Sequence, residues 1–213
     1  MFTQQFTIHP PPPEFRGRLS REEVNERPLR TWEGDVVVAT TPEQAAATLA
    51  ELSDQSVLGF DTETRPAFRK GQSYLPSLVQ FATNQKAWIL QLDRIGDDNP
   101  LNRFLSQPTP LKAGVSIVDD IADLRQRSDF RPAGFLDLGE VAERAGMHTR
   151  GLRNLAANLL GFRISKSAQT SNWARTELSE KQIRYAATDA WVGHQLFQRM
   201  RELGILKENV LSE

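Results

Sequence analysis

Val57-Leu58-Gly59-Phe60-Asp61-Thr62-Glu63 decides the reading of this chain. Val57 to Asp61 is apolar and ends in charge, the pattern of a central strand arriving at its sheet's edge. Side chains alternate along a strand, so Asp61 and Glu63 point to one face. Two neighbouring carboxylates repel, and left bare at least one takes up a proton. A divalent cation removes that penalty. An exposed strand end also produces Asp-x-Glu with no function attached, so the pattern needs company before it carries chemistry.

Outward from this strand, the chain reads as alternating elements. Asp35 to Ala39 (DVVVA) is predicted as a strand by its valine run. Thr41-Pro42-Glu43-Gln44 starts a helix, with Thr as cap and Pro at the first position, running to about Leu52. After Glu63 comes a loop, Arg65 to Pro76, which carries Arg65, Arg69, Lys70 and Gly71. Ser77 to Thr83 and Ala87 to Leu92 are predicted as strands joined by a hairpin turn at Thr83-Asn84-Gln85-Lys86. Leu111 to Val115 reads as a further strand, followed by a helix from about Asp119 to Arg127. Helical spacing recurs over Asp137 to Ala145 and Leu152 to Leu160. Ser179-Glu180-Lys181-Gln182 has the capping-box form and opens the longest helix, to about Leu203. Its apolar stripe holds Ile183, Ala186, Ala190, Phe197 and Met200. The sum is a layered α/β or α+β domain.

Two further features lie on these elements. Tyr185-Ala186-Ala187-Thr188-Asp189 places a phenol and a carboxylate four residues apart on one helix, hence one above the other. Asp is a poor residue inside a helix, and Asp189 sits among alanines. It is either a buried acid in need of a partner or a surface acid at the helix's polar edge. Gly114 to Leu124 (GVSIVDDIADL) puts three acids at a strand-to-helix junction. One of them can simply cap the helix, and Asp119 fits that role best.

Composition removes several classes. There are no cysteines, so no disulfide or thiolate zinc site is available. The three histidines, His9, His148 and His194, are far apart in sequence. No apolar run approaches the ~20 residues of a membrane span. Met1 to Pro13 lacks a basic region followed by an apolar one, so a cytoplasmic protein is expected. The net charge of −1 argues against a protein whose main task is coating nucleic acid. Even so, Arg144 to Thr176 contains no acid and holds Arg144, Arg150, Arg153, Arg163, Lys166 and Arg175. That stretch is either a solvated basic surface or a phosphate-facing one.

In order, GFDTE, GVSIVDDIADL and YAATDA resemble the three exonuclease motifs of the DEDD superfamily. A Tyr four residues before the last Asp marks the DEDDy branch; the position where the other branch has His is Arg184 here. Between the motifs, Thr170-Ser171-Asn172-Trp173 and Leu178-Ser179-Glu180-Lys181-Gln182 are similar to ribonuclease D and to the Werner syndrome protein's exonuclease domain. The resemblance runs from about Asp35 to Met200 and points to a single-domain, bacterial-type member.

This resemblance implies a ribonuclease H-like 3′-5′ exonuclease fold, α/β, with a mixed central β-sheet flanked by helices. It implies a phosphodiester hydrolase that trims RNA or DNA from a free 3′ end, with two Mg²⁺ or Mn²⁺ ions, and releases nucleoside 5′-monophosphates. Asp61, Glu63, Asp120 and Asp189 match its metal-binding acids, and Tyr185 its catalytic tyrosine. The family's motif places its Asp six after a Gly and four before a Leu, and by that resemblance Gly114 and Leu124 select Asp120 over Asp119 and Asp123. By the resemblance, Asp61 bridges the ions, Glu63 and Asp189 complete the site on the nucleophile's side, and Asp120 supports the second ion through water. Arg69, Lys70, Lys112 and Lys166 are candidate phosphate contacts, each equally readable as a solvated charge. Trp173 is expected as a core anchor for the loop before the last helix, with base stacking as its other use.

The expected layout is an N-terminal arm over residues 1–34, with prolines at Pro10 to Pro13, a domain over 35–206 and a tail over 207–213. Ribonuclease D carries helical domains after its catalytic one, and nothing similar follows here, so low processivity is expected. Three other readings stay open. One is a non-catalytic nucleic-acid-binding module, and another is an enzyme for very short oligonucleotides. The third is a part of a larger assembly docked through the arm.

Overall fold

The computed structural model describes residues 6–69, 71–96 and 100–209. The described chain begins with β1 (Phe6–Ile8), a 3₁₀ turn and α1 (Arg21–Glu26), followed by β2 (Asp35–Ala39) and α2 (Pro42–Ser53). Then come β3 (Val57–Glu63), β4 (Leu78–Ala82), β5 (Lys86–Gln91), α3 (Leu92–Ile95) and α4 (Leu101–Leu105). The second half holds β6 (Leu111–Gly114), α5 (Val118–Arg127), β7 (Phe135–Asp137), α6 (Leu138–Arg144) and α7 (Leu152–Leu155). It ends with α8 (Glu180–Glu202) and β8 (Leu206–Glu208). Among the described residues, no helix is long and apolar enough to cross a membrane.

Six strands form one mixed sheet in the order β2-β5-β4-β3-β6-β7. The β3-β4 and β4-β5 pairs are antiparallel; β2-β5, β3-β6 and β6-β7 are parallel. Strand β3 is therefore central, and the hairpin turn closes through Thr83 N–H donating to Lys86 O at 2.9 Å. Its alternation sorts the layers. Leu58 and Phe60 join the core formed with Leu49, Leu52, Phe104 and Leu124, on the side of α2, α4 and α5. Gly59, Asp61 and Glu63 face the other way, towards α8.

Helix α8 follows from its sequence: a complete capping box at Ser179 and Gln182, and a broad buried stripe. Its seat on the sheet depends on Gly59. A Cβ there would lie 1.8 Å from Ala190 O and 2.7 Å from His194 N. No rotamer relieves that clash, because both atoms are backbone. Gly193 performs the matching task one strand over, where a Cβ would come within 2.8 Å of Ala113 O. Bare backbone at these points lets α8 press onto β3, which brings Asp189 over the strand's acidic end. Gly59→Ala is expected to cost about 3 kcal/mol or more, the upper part of the range for overpacking. Urea denaturation measures it; a cost under about 1 kcal/mol would mean α8 does not sit this close.

Several elements differ from the sequence reading. Leu152 to Leu160 is not one α-helix: α7 passes into a π-helical turn, Ala156–Leu160, that ends at Gly161 with φ 74°. Such widened turns are rare and occur mostly as single turns within a helix. Here the amide of Asn158, inside that turn, donates to Phe15 O at 3.0 Å. The short β1, β7 and β8 had no local signal. Strand β1 pairs antiparallel with β8, a contact some two hundred residues apart in sequence. The described arm is fastened along its length, with Phe6 and Trp32 buried and Arg163 donating to Asn25 O and Arg27 O.

Candidate active site

Asp61, Glu63 and Asp189 each offer a carboxylate oxygen within 4.8 Å of the other two. Two come from the end of β3 and one from the middle of α8, so the cluster is a product of the Gly59 contact. Glu63 and Asp189 are buried, and Asp61 is partly exposed. No Lys or Arg forms an ion pair with any of them among the described residues.

The electrostatics follow from that isolation. Burial, then the charges of Asp189 and Asp120, hold the Asp61 carboxyl well above the ordinary range. Burial, then Asp61 and Asp189, push Glu63 up to about 10. Burial raises Asp189 to about 7, opposed by the Tyr185 phenol that lies against it. Tyr185 is itself pushed up, by burial first and then by Asp189 and Glu63. Oδ1 of Asp189 is buried and makes no hydrogen bond. Three convergent oxygen donors, no neutralising cation and one orphaned carboxylate oxygen are the surroundings a hard divalent cation fits.

Asp120 lies outside this trio but is tied to it. It sits in the first turn of α5 and accepts a hydrogen bond from the Thr62 hydroxyl. Thr62 points to the α5 side of β3, so Asp120 approaches the strand's end from the opposite layer. Burial raises it to about 6, and its charge acts on Asp61 and Glu63. The start of α5 is set by an unusual turn. Ser116 has φ 61°, in the left-handed region that non-glycine residues avoid. Asp137 holds it there, accepting from Ser116 N at 3.0 Å and Ile117 N at 2.8 Å while also capping α6. Gly114 completes the turn, since a Cβ there would meet Phe60 O at 2.4 Å. Thr62 and Asp137 were not singled out from sequence. Helical spacing from Asp137 onward was legible, but neither its capping of α6 nor its reach to a second loop was.

Tyr185 is positioned by packing. Trp173 is fully buried, with its ring centroid 5.8 Å from that of Tyr185. The loop carrying Trp173 is pinned by Gln182, which donates to Asn172 O at 3.1 Å. Trp173 is thus the anchor expected and is not free to stack on a base.

The candidate phosphate contacts divide. Lys112 is corrected: it is fully buried, its Nζ donates to Pro110 O and Gln107 O at 2.8 and 3.0 Å, and it lies between the rings of Phe104 and Phe135. Burial lowers it to about 8. Its ammonium satisfies carbonyls of the loop before β6 and, fully buried, is not placed to reach a substrate. Arg69 is exposed on the loop after β3, and Lys70 lies outside the described residues. Lys166 is exposed beside a groove next to the site. In the acid-free stretch, Arg153 and Arg163 hold the arm and Arg150 pairs with Glu143.

A mixed sheet with acids gathered at the end of its central strand defines a ribonuclease H-like nuclease domain. The model of the 3′-5′ exonuclease family matches residues 36–205, and the chain belongs to that family. It is 31% identical to the bifunctional 3′-5′ exonuclease/ATP-dependent helicase WRN of Mus musculus, over 72% of this chain and 11% of that protein. It is 30% identical to ribonuclease D of Haemophilus influenzae, over 71% of this chain and 38% of the relative. The chain therefore spans well under half the length of these curated relatives. The fold is shared with the EXO domain of Aedes aegypti Nibbler, at a TM-score of 0.72 and 23% identity, covering 82% of this chain and 92% of that one. Escherichia coli RNase D superposes at 0.67 with 21% identity, covering 82% and 45%.

Proposed function

We propose that the chain hydrolyses phosphodiester bonds one at a time from the 3′ end of RNA or DNA, releasing nucleoside 5′-monophosphates. The observation that carries this is the trio of Asp61, Glu63 and Asp189, with oxygens mutually within 4.8 Å and no cation paired to them. Asp61, Glu63, Asp189 and Asp120 would hold two divalent cations, Mg²⁺ or Mn²⁺. When bound, the ions supply Lewis acidity at the scissile phosphate and lower the pKa of water.

The chain's own groups do the rest. Asp61 lies in the trio and also feels the charge of Asp120, so it would be the acid shared by the two cations. Thr62 fixes Asp120 by its hydroxyl, so the fourth acid is oriented without joining the trio. Tyr185, held protonated by its buried acidic surroundings, donates a hydrogen bond and takes no proton. Its task is to orient the attacking water, with Trp173 fixing the ring.

The test uses 5′-labelled single strands of RNA and DNA with Mn²⁺, Mg²⁺ or EDTA. The expected result is a metal-dependent ladder that shortens from the 3′ end. No shortening of either strand with any metal would overturn the reading. Tyr185→Phe removes only the hydroxyl and is expected to lower kcat about a hundredfold, the scale of losing one preorganised hydrogen-bond donor, with KM nearly unchanged. An equal rise in KM would assign Tyr185 to substrate binding instead.

A further inference from the structure

Beside the acidic cleft, the arm and α7 enclose a groove of about 630 Å³ lined by Arg18, Arg21, Arg153 and Lys166. One carboxylate lines it, Glu23, and that group is committed to the α1 capping box through the Ser20 N–H at 2.7 Å. Elsewhere on this molecule basic side chains have acidic partners: Lys86 with Glu51, Arg127 with Asp93, Arg199 with Glu202. None of the four groove cations forms an ion pair among the described residues. Arg153 donates to Asn25 Oδ1 at 2.7 Å, while its Nε is buried without a hydrogen-bond partner. In a chain of net charge −1, four cations gathered around a single carboxylate leave an excess of positive charge that favours an anion.

Residues 165–167 link the groove to the acids. Ser165 and Ser167 line a small cavity with Tyr185 and Asp189, and Lys166 between them lines the groove. A strand whose 3′ end lies at the acids can pass over residues 165–167 and reach Arg153, Arg18 and Arg21. Two of these cations belong to the arm, outside residues 36–205 that the family model matches.

We infer that this groove binds the phosphodiester backbone of the substrate strand upstream of its 3′ end. It is an addition made by this chain's own arm. The inference rests on the exonuclease reading for the identity of the strand, but its test does not depend on turnover. A groove that reads backbone charge gains with strand length and falls off with salt. Each single-strand phosphate contact steepens the salt dependence of log K by about 0.7.

Binding of 5′-labelled single strands of about four and about twelve nucleotides would be measured with EDTA across a salt series, a span that brackets common single-strand site sizes. Arg18→Ala/Arg21→Ala is expected to weaken the longer strand about tenfold and flatten its salt slope by roughly 1.4, the value for two lost contacts. The shorter strand should change far less, and Arg18→Lys/Arg21→Lys should restore most of the loss. An unchanged slope for the longer strand, or equal losses for both lengths, overturns the groove. Parallel reactions with Mn²⁺ separate the two ideas. A normal ladder with an unchanged slope removes the groove alone. A flattened slope with no ladder supports the groove and removes the hydrolytic reading.

Discussion

Asp61→Asn is expected to lower the rate of 3′ trimming on the order of a thousandfold at saturating Mn²⁺, the effect of losing several kcal/mol of charge stabilisation at the reacting phosphate. The change is nearly isosteric, so β3 and its pairing with β4 should persist. What is lost is the negative charge at the centre of the cluster. Asp61 is the acid whose charge bears on both Glu63 and Tyr185, and which feels both Asp189 and Asp120. In the wild type, Mn²⁺ at a hundred times its Kd adds about 2.7 kcal/mol by mass action. For a chain of this size that is roughly 5–10 °C in Tm. Asp61→Asn should lose most of that gain and, spared the cost of protonating a buried carboxylate on folding, start from a higher metal-free Tm. Activity within tenfold of wild type, or an undiminished Mn²⁺ shift, would mean the ions are held elsewhere.

The elements that carry the acidic cluster were legible in sequence because Asp61, Glu63 and Asp189 sit on a strand and a helix with strong local signals. Alternation put Asp61 and Glu63 on one face of β3. The capping box and apolar stripe of α8 fixed the helix on which Tyr185 and Asp189 stand one turn apart. Asp120 was selected only by resemblance to the family's motif, through its spacing from Gly114 and Leu124. The distance between strand and helix was not legible. It depends on Gly59 meeting Ala190 O, and a lone glycine in an apolar strand gives no hint of its partner. Nor could local pattern show that Asp120 meets Thr62 on the face of β3 opposite the trio.

Lys112 shows the opposite error. A lysine just before a motif reads as a phosphate contact, since lysine is seldom buried. Its neighbours are Phe104 and Phe135, two aromatic rings from distant elements, and its partners are carbonyls of the loop that precedes β6. Only the fold brings them together. The arm is similar. Its prolines and mixed charges suggested an extended appendage, while its attachment rests on long-range contacts such as Trp32 N–H donating to Thr188 Oγ1 at 2.9 Å and Arg184 donating to Gly34 O at 3.0 Å. Because Arg184 and Thr188 flank Tyr185 and Asp189 on α8, the arm braces the helix turn that carries the site.

The metal-free protein is expected to lose stability as pH rises through neutrality, contrary to the usual behaviour of a fold stabilised by paired carboxylates. Unfolded Asp and Glu titrate near ~4. In the fold, Asp189 titrates at about 7, Glu63 at about 10, and Asp61 well above its ordinary value. Groups with raised folded values hold protons that the unfolded chain has already released, so their contribution is full below about pH 4 and declines as pH climbs. Each extra native proton costs about 1.4 kcal/mol per pH unit, roughly 3–5 °C in Tm at this chain length. Two buried bases act in the opposite sense. His194, lowered to about 4 by burial, favours the fold as pH rises to about 6.5, and Lys112, lowered to about 8, does so above that value. The window from about pH 6.5 to 8 therefore isolates the acids. There the Tm in EDTA should fall, and Glu63→Gln should reduce the slope by about one proton's worth. With Mn²⁺ the sign should reverse, because cation binding requires the ionised carboxylates and strengthens as protons leave. A metal-free Tm that holds level or climbs across this window would show that the three acids carry their charges unaided, and the case for a cation between them would lose its physical basis.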